Sequence, residues 1–364
     1  MKQASSLWTK ALLAAGLTWL GATAVRHLRE ENLQGEVALV TGGSRGLGFL
    51  LARELGRHGC RVAICARDRR ELEAARADLT AQGIAVFPVV CDVANQGDVE
   101  QMIAQVTRHY GRIDILVNNA GIIQVGAVEN MRVEDFQRVM DINFWGTFHP
   151  TYAVLPQMLR RSRGRIVNIT SIGGAISVPH LLPYSTAKFA ATGFSQGLSA
   201  EVRSKGIQVT TVAPSTMRTG SHLQAEFTGQ QAKEYVWFAL SATLPGVAVS
   251  AESAATQIVR AIKQRATMLY IGLPAKIGAR VHGLFPGFVT DLLALVIATG
   301  LPAPTAQRAE PQRGMEVERQ LTPPQRQQMA RFTALGQQAA REYNQYTGEN
   351  LEANGRIWTE APTA

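Results

Sequence analysis

Val37-Ala38-Leu39-Val40-Thr41-Gly42-Gly43-Ser44-Arg45-Gly46-Leu47-Gly48 is the stretch that decides the fold. Residues 37–40 form a short apolar run that reads as a strand, and the glycine-rich turn after it leads into a helical pattern. Glycines at 42, 46 and 48 let the backbone approach a pyrophosphate closely. They also set that anion at a helix N-terminus, where free N–H groups and the helix dipole favour negative charge. The spacing is not the commonest Gly-x-Gly-x-x-Gly fingerprint. Glycine-rich turns occur without any cofactor, but the position between strand and helix favours binding.

The same alternation continues outward. Apolar, β-branched runs recur at residues 61–65, 84–87, 113–117, 165–169, 207–212 and 267–271, separated by helical segments. Near-continuous hydrophobic strands of this kind belong to a parallel sheet buried on both faces. The chain is therefore expected to hold an α/β domain over residues 35–272, a doubly wound parallel seven-stranded sheet with helices on both faces. A hydrophobic content of 46% with 18% charged residues fits such a core and argues against a disordered chain. The net charge of +9 invites a nucleic-acid reading, but the basic residues are scattered and no nucleic-acid motif accompanies them. Cys60, Cys65 and Cys91 have no metal-ligand spacing, so no metal site is expected, and they read as small buried hydrophobes.

Chemistry enters at Tyr184-Ser185-Thr186-Ala187-Lys188. On a helix, Tyr184 and Lys188 share one face. An ammonium beside a phenol favours the phenolate, bringing a group with a free pKa near ~10 closer to neutral exchange. Ser171 follows an apolar run just upstream. Each residue also has an ordinary reading: Ser171 as a turn cap, Asn143 as a helix-terminating amide, Asn118-Asn119 as a loop. Their order along the chain, at the strand ends where such folds bind ligands, favours a site.

Thr41-Gly42-x-x-x-Gly46-x-Gly48, Asn118-Asn119-Ala120-Gly121, Asn143, Ser171 and Tyr184-x-x-x-Lys188 together resemble the short-chain dehydrogenase/reductases over about residues 35–272. The resemblance implies a Rossmann-type fold and hydride exchange between a carbonyl or alcohol and a nicotinamide cofactor. It makes Tyr184 the general acid/base and Ser171 the group that holds and polarises the substrate oxygen. Lys188 would lower the Tyr184 pKa and bind the nicotinamide ribose, and Asn143 would organise a relay water. Gly42, Ser44, Arg45, Gly46, Leu47 and Gly48 would carry the pyrophosphate side, and Asn119, Ala120 and Gly121 would flank the cofactor. Asp92 and Val93 would meet the adenine, and Pro214 and Thr219 the carboxamide. A homodimer or homotetramer is also implied. The chain departs from the family at Pro214-Ser215, where Pro-Gly is usual.

Cofactor choice is read at the end of the second strand. Ala66 stands where an NAD enzyme places an acid for the ribose 2′-hydroxyl. Arg67, with Arg45, can clamp a 2′-phosphate, so NADP(H) is expected over NAD(H). Asp68 is the competing partner for Arg67. Residues 217–249, with Phe227, Tyr235, Trp237, Phe238 and Leu244, read equally well as substrate pocket or as core.

The ends of the chain stand apart from this pattern. Residues 1–34 hold an uncharged stretch from 11 to 25. Extended to 7–25 by a snorkelling Lys10, it approaches the ~30 Å hydrocarbon thickness and reads as a membrane anchor. A signal peptide cleaved after Ala22-Thr23-Ala24 and a packed helix are the rivals. The nicotinamide pool inside cells places the catalytic domain in the cytoplasm, tethered or soluble. Residues 273–302 form an apolar segment too short to span, either interfacial or a cover for the pocket. Residues 303–364 read as a polar tail, partly helical. The expected activity is NADP(H)-dependent interconversion of a lipophilic carbonyl and alcohol; the rival is a non-catalytic membrane-tethered nucleotide-binding scaffold or sensor.

Overall fold

A computed structural model of the chain describes residues 30–244, 248–306 and 310–346. The segment at 7–25, with the cleavage motif inside it, lies outside the described residues. Seven strands make one parallel sheet: β1 Val37–Thr41, β2 Arg61–Ala66, β3 Val86–Val90, β4 Ile115–Asn118, β5 Gly164–Ile169, β6 Ile207–Pro214 and β7 Met268–Ile271. Their order is β7-β6-β5-β4-β1-β2-β3, so the winding reverses between β1 and β4. In such sheets the crevice beyond the strand C-termini at that reversal is where ligands bind.

The central strands are apolar because both faces are covered. One face packs α1 Gly46–Arg57, α2 Arg69–Ala81 and α8 Ala251–Lys263, with Leu50, Leu51, Ile258 and Val259 fully buried against Val40 and Ile64. The other packs α3 Gln96–Tyr110, α5 Gly146–Arg160 and α6 Leu182–Val202, with Met102, Val106 and Val154 against Leu39 and Leu116. The third strand runs two to three residues later than residues 84–87. Ile84 instead caps the end of α2 through an amide bond to Leu79 O and is buried. Pro88 lies inside β3, which an edge strand tolerates because one side needs no ladder donor.

Beyond the sheet, α9 Leu273–Leu284 and α10 Pro286–Gly300 form a hairpin, and most of α10 is exposed. Among the described residues no helix is long and apolar enough to cross a membrane. The polar segment after residue 303 contributes a short strand at Gln312–Arg313 and the helices α11 Gly314–Gln320, α12 Pro323–Phe332 and α13 Ala334–Glu342. That strand pairs antiparallel with Glu226–Phe227, which returns the segment to the domain near the crevice.

Candidate active site

The turn after β1 takes its shape from its glycines. Gly42 and Gly46 have φ of +62° and +56°, where a side chain is strained. A methyl group on Gly48 would lie 2.0 Å from the Gly42 carbonyl oxygen and 2.5 Å from Asn119 Nδ2. Thr41 Oγ1 accepts from the amides of Asn119 and Ala120, and Asn119 Nδ2 donates to the carbonyls of Thr41 and Gly42. The turn after β1 and the loop after β4 are thereby locked as one wall. Gly48→Ala is expected to cost about 1–3 kcal/mol of stability and to weaken cofactor binding, because the contact is with backbone that cannot rotate away. Denaturation midpoint and cofactor titration check this, and an unchanged value of both contradicts it.

On the opposite wall Ser171 caps a short turn, its Oγ accepting from Gly173 N at 3.0 Å. It lies beside Tyr184, which sits in the first turn of α6, and favours the ionised phenol. Lys188, one turn on and 4% exposed, donates from Nζ to Ile169 O at 3.0 Å and lies 5.7 Å from the centre of the Tyr184 ring. Burial raises the Tyr184 phenol above its ordinary value, and the Ser171 hydroxyl only partly offsets it. Burial likewise brings the Lys188 ammonium down to about 8. Desolvation is the strongest effect on both groups, and the lowering of Tyr184 by Lys188 stays an expectation for the cofactor-bound enzyme. At neutral pH the phenol is a proton donor and the lysine is still mostly charged.

Asn143 sits in a π-turn, Asp141–Trp145, between α4 Val133–Met140 and α5. Its Oδ1 accepts from Ile122 N and its Nδ2 donates to Ile122 O, both at 2.9 Å. The side chain thus braces the loop after β4. It does fix the room beside Lys188: a methyl on Gly121 would lie 2.7 Å from Asn143 Oδ1 and 3.6 Å from Lys188 Nζ. Below it, Asn118 Nδ2 donates to Thr151 Oγ1 and Asn168 Oδ1, a buried polar chain that continues through Ser195 to Thr211.

These walls enclose a cleft of about 880 Å³. Most of the expected contacts line it: Gly42, Ser44, Arg45, Gly46, Leu47, Arg67, Asp92, Val93, Asn119, Ala120, Gly121, Ser171, Tyr184, Lys188, Pro214 and Thr219. Gly48 lies behind the turn. A dinucleotide fits what is present: the volume is that of a cofactor site, and the glycines leave backbone bare where a phosphate must approach. Ser215 Oγ and Gln345 Oε1 line the cleft, buried and without a hydrogen-bond partner among the described residues, as if awaiting polar ligand atoms.

The ribose end differs from expectation. Arg45 Nη1 donates to Glu71 Oε1 at 2.6 Å and Ser44 Oγ to Glu71 Oε2 at 3.1 Å, so Arg45 is already paired. Burial lowers the Arg45 guanidinium, Glu71 supports it, and the charges of Arg313 and Arg67 lower it further. Asp68 does not compete for Arg67. Its Oδ1 accepts from the amides of Arg70 and Glu71 and caps α2.

The segment after residue 303 supplies the contacts that sequence reasoning missed. Arg313 and Gln345 line the cleft. Gly46 N donates to Tyr343 O at 2.8 Å, and Gln345 Nε2 donates to Thr219 O at 2.9 Å. The chain thus straps across from the glycine turn to the loop after β6. At the other end the aromatics divide: Trp237 and Phe238 line the cleft, whereas Phe227 and Tyr235 are core. Glu234 accepts from Trp237 Nε1 at 2.7 Å and bonds His180 Nδ1 at 2.8 Å, which holds the indole in place.

Residues 36–229 match the family model described as short chain dehydrogenase, and the chain belongs to that family. It is 40% identical over 186 residues to a putative ketoacyl reductase of Streptomyces coelicolor, covering 50% of this chain and 71% of that protein. It is 39% identical over 188 residues to a 3-oxoacyl-[acyl-carrier-protein] reductase of Synechocystis, covering 51% and 76%. A crystal structure of an actinorhodin polyketide ketoreductase with NADPH superposes with a TM-score of 0.58 at 30% identity, over 67% of this chain and 98% of that one. The chain is an oxidoreductase acting on CH–OH and C=O groups, and the scaffold reading falls away.

Proposed function

We propose that the chain is an NADP(H)-dependent reductase or dehydrogenase that interconverts a lipophilic carbonyl and its alcohol. The observation that carries this reading is the convergence of Ser171, Tyr184 and Lys188 on one cleft whose other wall is the glycine-rich turn. When bound, the dinucleotide supplies or accepts the hydride. Tyr184 Oη gives the proton to the substrate oxygen in reduction and takes it back in oxidation. Ser171 Oγ, beside Tyr184, holds and polarises that oxygen. Lys188 keeps a positive charge beside the phenol and grips the nicotinamide ribose. Asn143 positions Asn119 to Gly121 through Ile122 and helps organise a relay water. Asp92 and Val93 face the adenine, and Pro214 and Thr219 the carboxamide.

Ile172, Leu181, Trp237 and Phe238 give the substrate end an apolar lining, which supports a steroid-like, retinoid-like or fatty-acyl chain. The names of the relatives favour the acyl chain among these. Attachment to a membrane through residues 7–25, with the domain in the cytoplasm, belongs to the same proposal. Fractionation of cells expressing the full chain tests it, and recovery of an uncleaved chain in the soluble fraction contradicts it.

The cofactor preference rests on Arg67. Arg45 is shared with Glu71 and Asp68 is committed to a helix cap, so Arg67 is the arm left for a 2′-phosphate. NADPH is expected to bind roughly ten- to a hundredfold more tightly than NADH, as one charge-assisted hydrogen bond gives. Arg67→Ala should remove most of that difference. Titration of both cofactors against tryptophan fluorescence measures it, and equal dissociation constants in the unmutated protein contradict it.

A further inference from the structure

The hairpin of α9 and α10 buries little of its own apolar surface. In α10 only Val289 is buried, while Phe288 is 64% exposed and Leu295 59%. Leu284 and Phe285 at the bend are 73% and 61% exposed. Successive residues turn by about 100°, so Leu295 and Ile297 lie on nearly opposite sides of the helix. Both are exposed, Ile297 at 44%. A helix that is apolar all round belongs inside a large core or in lipid. A protein partner with a single flat surface would cover only one of these sides.

We propose that this hairpin docks the mouth of the cleft on a lipid bilayer, with α10 lying in the interfacial layer. Its 15 residues extend only about 22 Å at ~1.5 Å per residue, short of the ~30 Å needed to span. Asp291 is the sole charged residue of α10, whereas α9 carries exposed Lys276 and Arg280 and half-buried His282. An apolar element flanked by basic groups matches an anionic lipid surface. The location is functional. Pro274 of α9 lines the cleft, and Gly278 packs so closely on Ile176 and Ile172 that a methyl there would meet Ile176 at 3.0 Å. Ile172 is next to Ser171, so the docked face adjoins the reacting end of the site. The docking stands independently of which carbonyl is reduced and of whether residues 7–25 form an anchor.

The test uses the full chain with Leu292→Cys carrying an environment-sensitive fluorophore. Cys60, Cys65 and Cys91 are buried, so the new thiol is the accessible one, and labelling of the unmutated chain sets the background. Vesicles of equal parts phosphatidylcholine and phosphatidylserine are added, with and without nitroxide on the acyl chains. The expected result is a blue shift on vesicle addition and severalfold quenching by the nitroxide lipid. A probe at Glu73→Cys, exposed on α2, should show neither. An unshifted probe at 292 overturns the proposal. So does a blue shift present without vesicles: independent of protein concentration it assigns the hairpin to another segment of this chain, and rising with concentration it assigns it to a second copy.

Discussion

Tyr184→Phe enzyme is expected to turn over about 10²–10⁴-fold more slowly, the usual contribution of a positioned acid/base, while its cofactor dissociation constant stays unchanged. The substitution removes one oxygen and leaves the ring that packs beside Lys188. Burial keeps the Tyr184 phenol protonated, so the lost group is the donor that reduction requires. A conformational collapse would lower cofactor affinity as well. Steady-state turnover paired with a fluorescence titration separates the two, and near-normal turnover contradicts the mechanism.

The largest expected effect on stability lies at the other end of the sheet. Arg165 of β5 is 4% exposed and donates to Glu36, itself 5% exposed, and to Glu31. Arg163 also bonds Glu36, at 2.7 Å, but from solvent, with its side chain 66% exposed. Arg165→Met leaves the Glu36 carboxylate buried with that single outlying partner. Breaking a buried pair in this way costs about 3–5 kcal/mol. Replacing both residues by apolar ones should recover most of the loss, because the cost belongs to the stranded charge. Activity per folded molecule should be unaffected, since this cluster sits at the N-terminal end of β5 and the cleft at the C-terminal ends. Denaturant midpoints of the single and double variants read the effect, and a loss under about 1 kcal/mol for Arg165→Met would place the pair among weak surface contacts.

What could be read in the sequence was local. The run from Val37 to Gly48 announces strand, turn and helix because each residue's conformational preference agrees with its neighbours. Tyr184, Lys188 and Ser171 lie within a few turns of one another in the chain and end in one cleft. What the sequence left out depended on distant partners. Arg45 was free on paper, but Glu71, folded back from α2, takes its charge. Asp68 was a rival for Arg67 until the start of α2 used it as a cap. Arg313 and Gln345 reach the cleft from a polar segment with no strong periodicity, held by a two-residue strand and by backbone bonds that leave no mark in composition. The bonds of Asn143 to Ile122 likewise depend on a π-turn that no sequence periodicity announces.

The most direct test of the central claim is the loss of NADPH absorbance when the purified full chain meets a panel of lipophilic ketones, 3-oxoacyl thioesters and steroid-like ketones among them. The account predicts cofactor- and enzyme-dependent oxidation of NADPH with at least one of these, abolished by Tyr184→Phe. Oxidation that persists unchanged in the Tyr184→Phe protein, or none with any ketone although NADPH binds tightly, would contradict it.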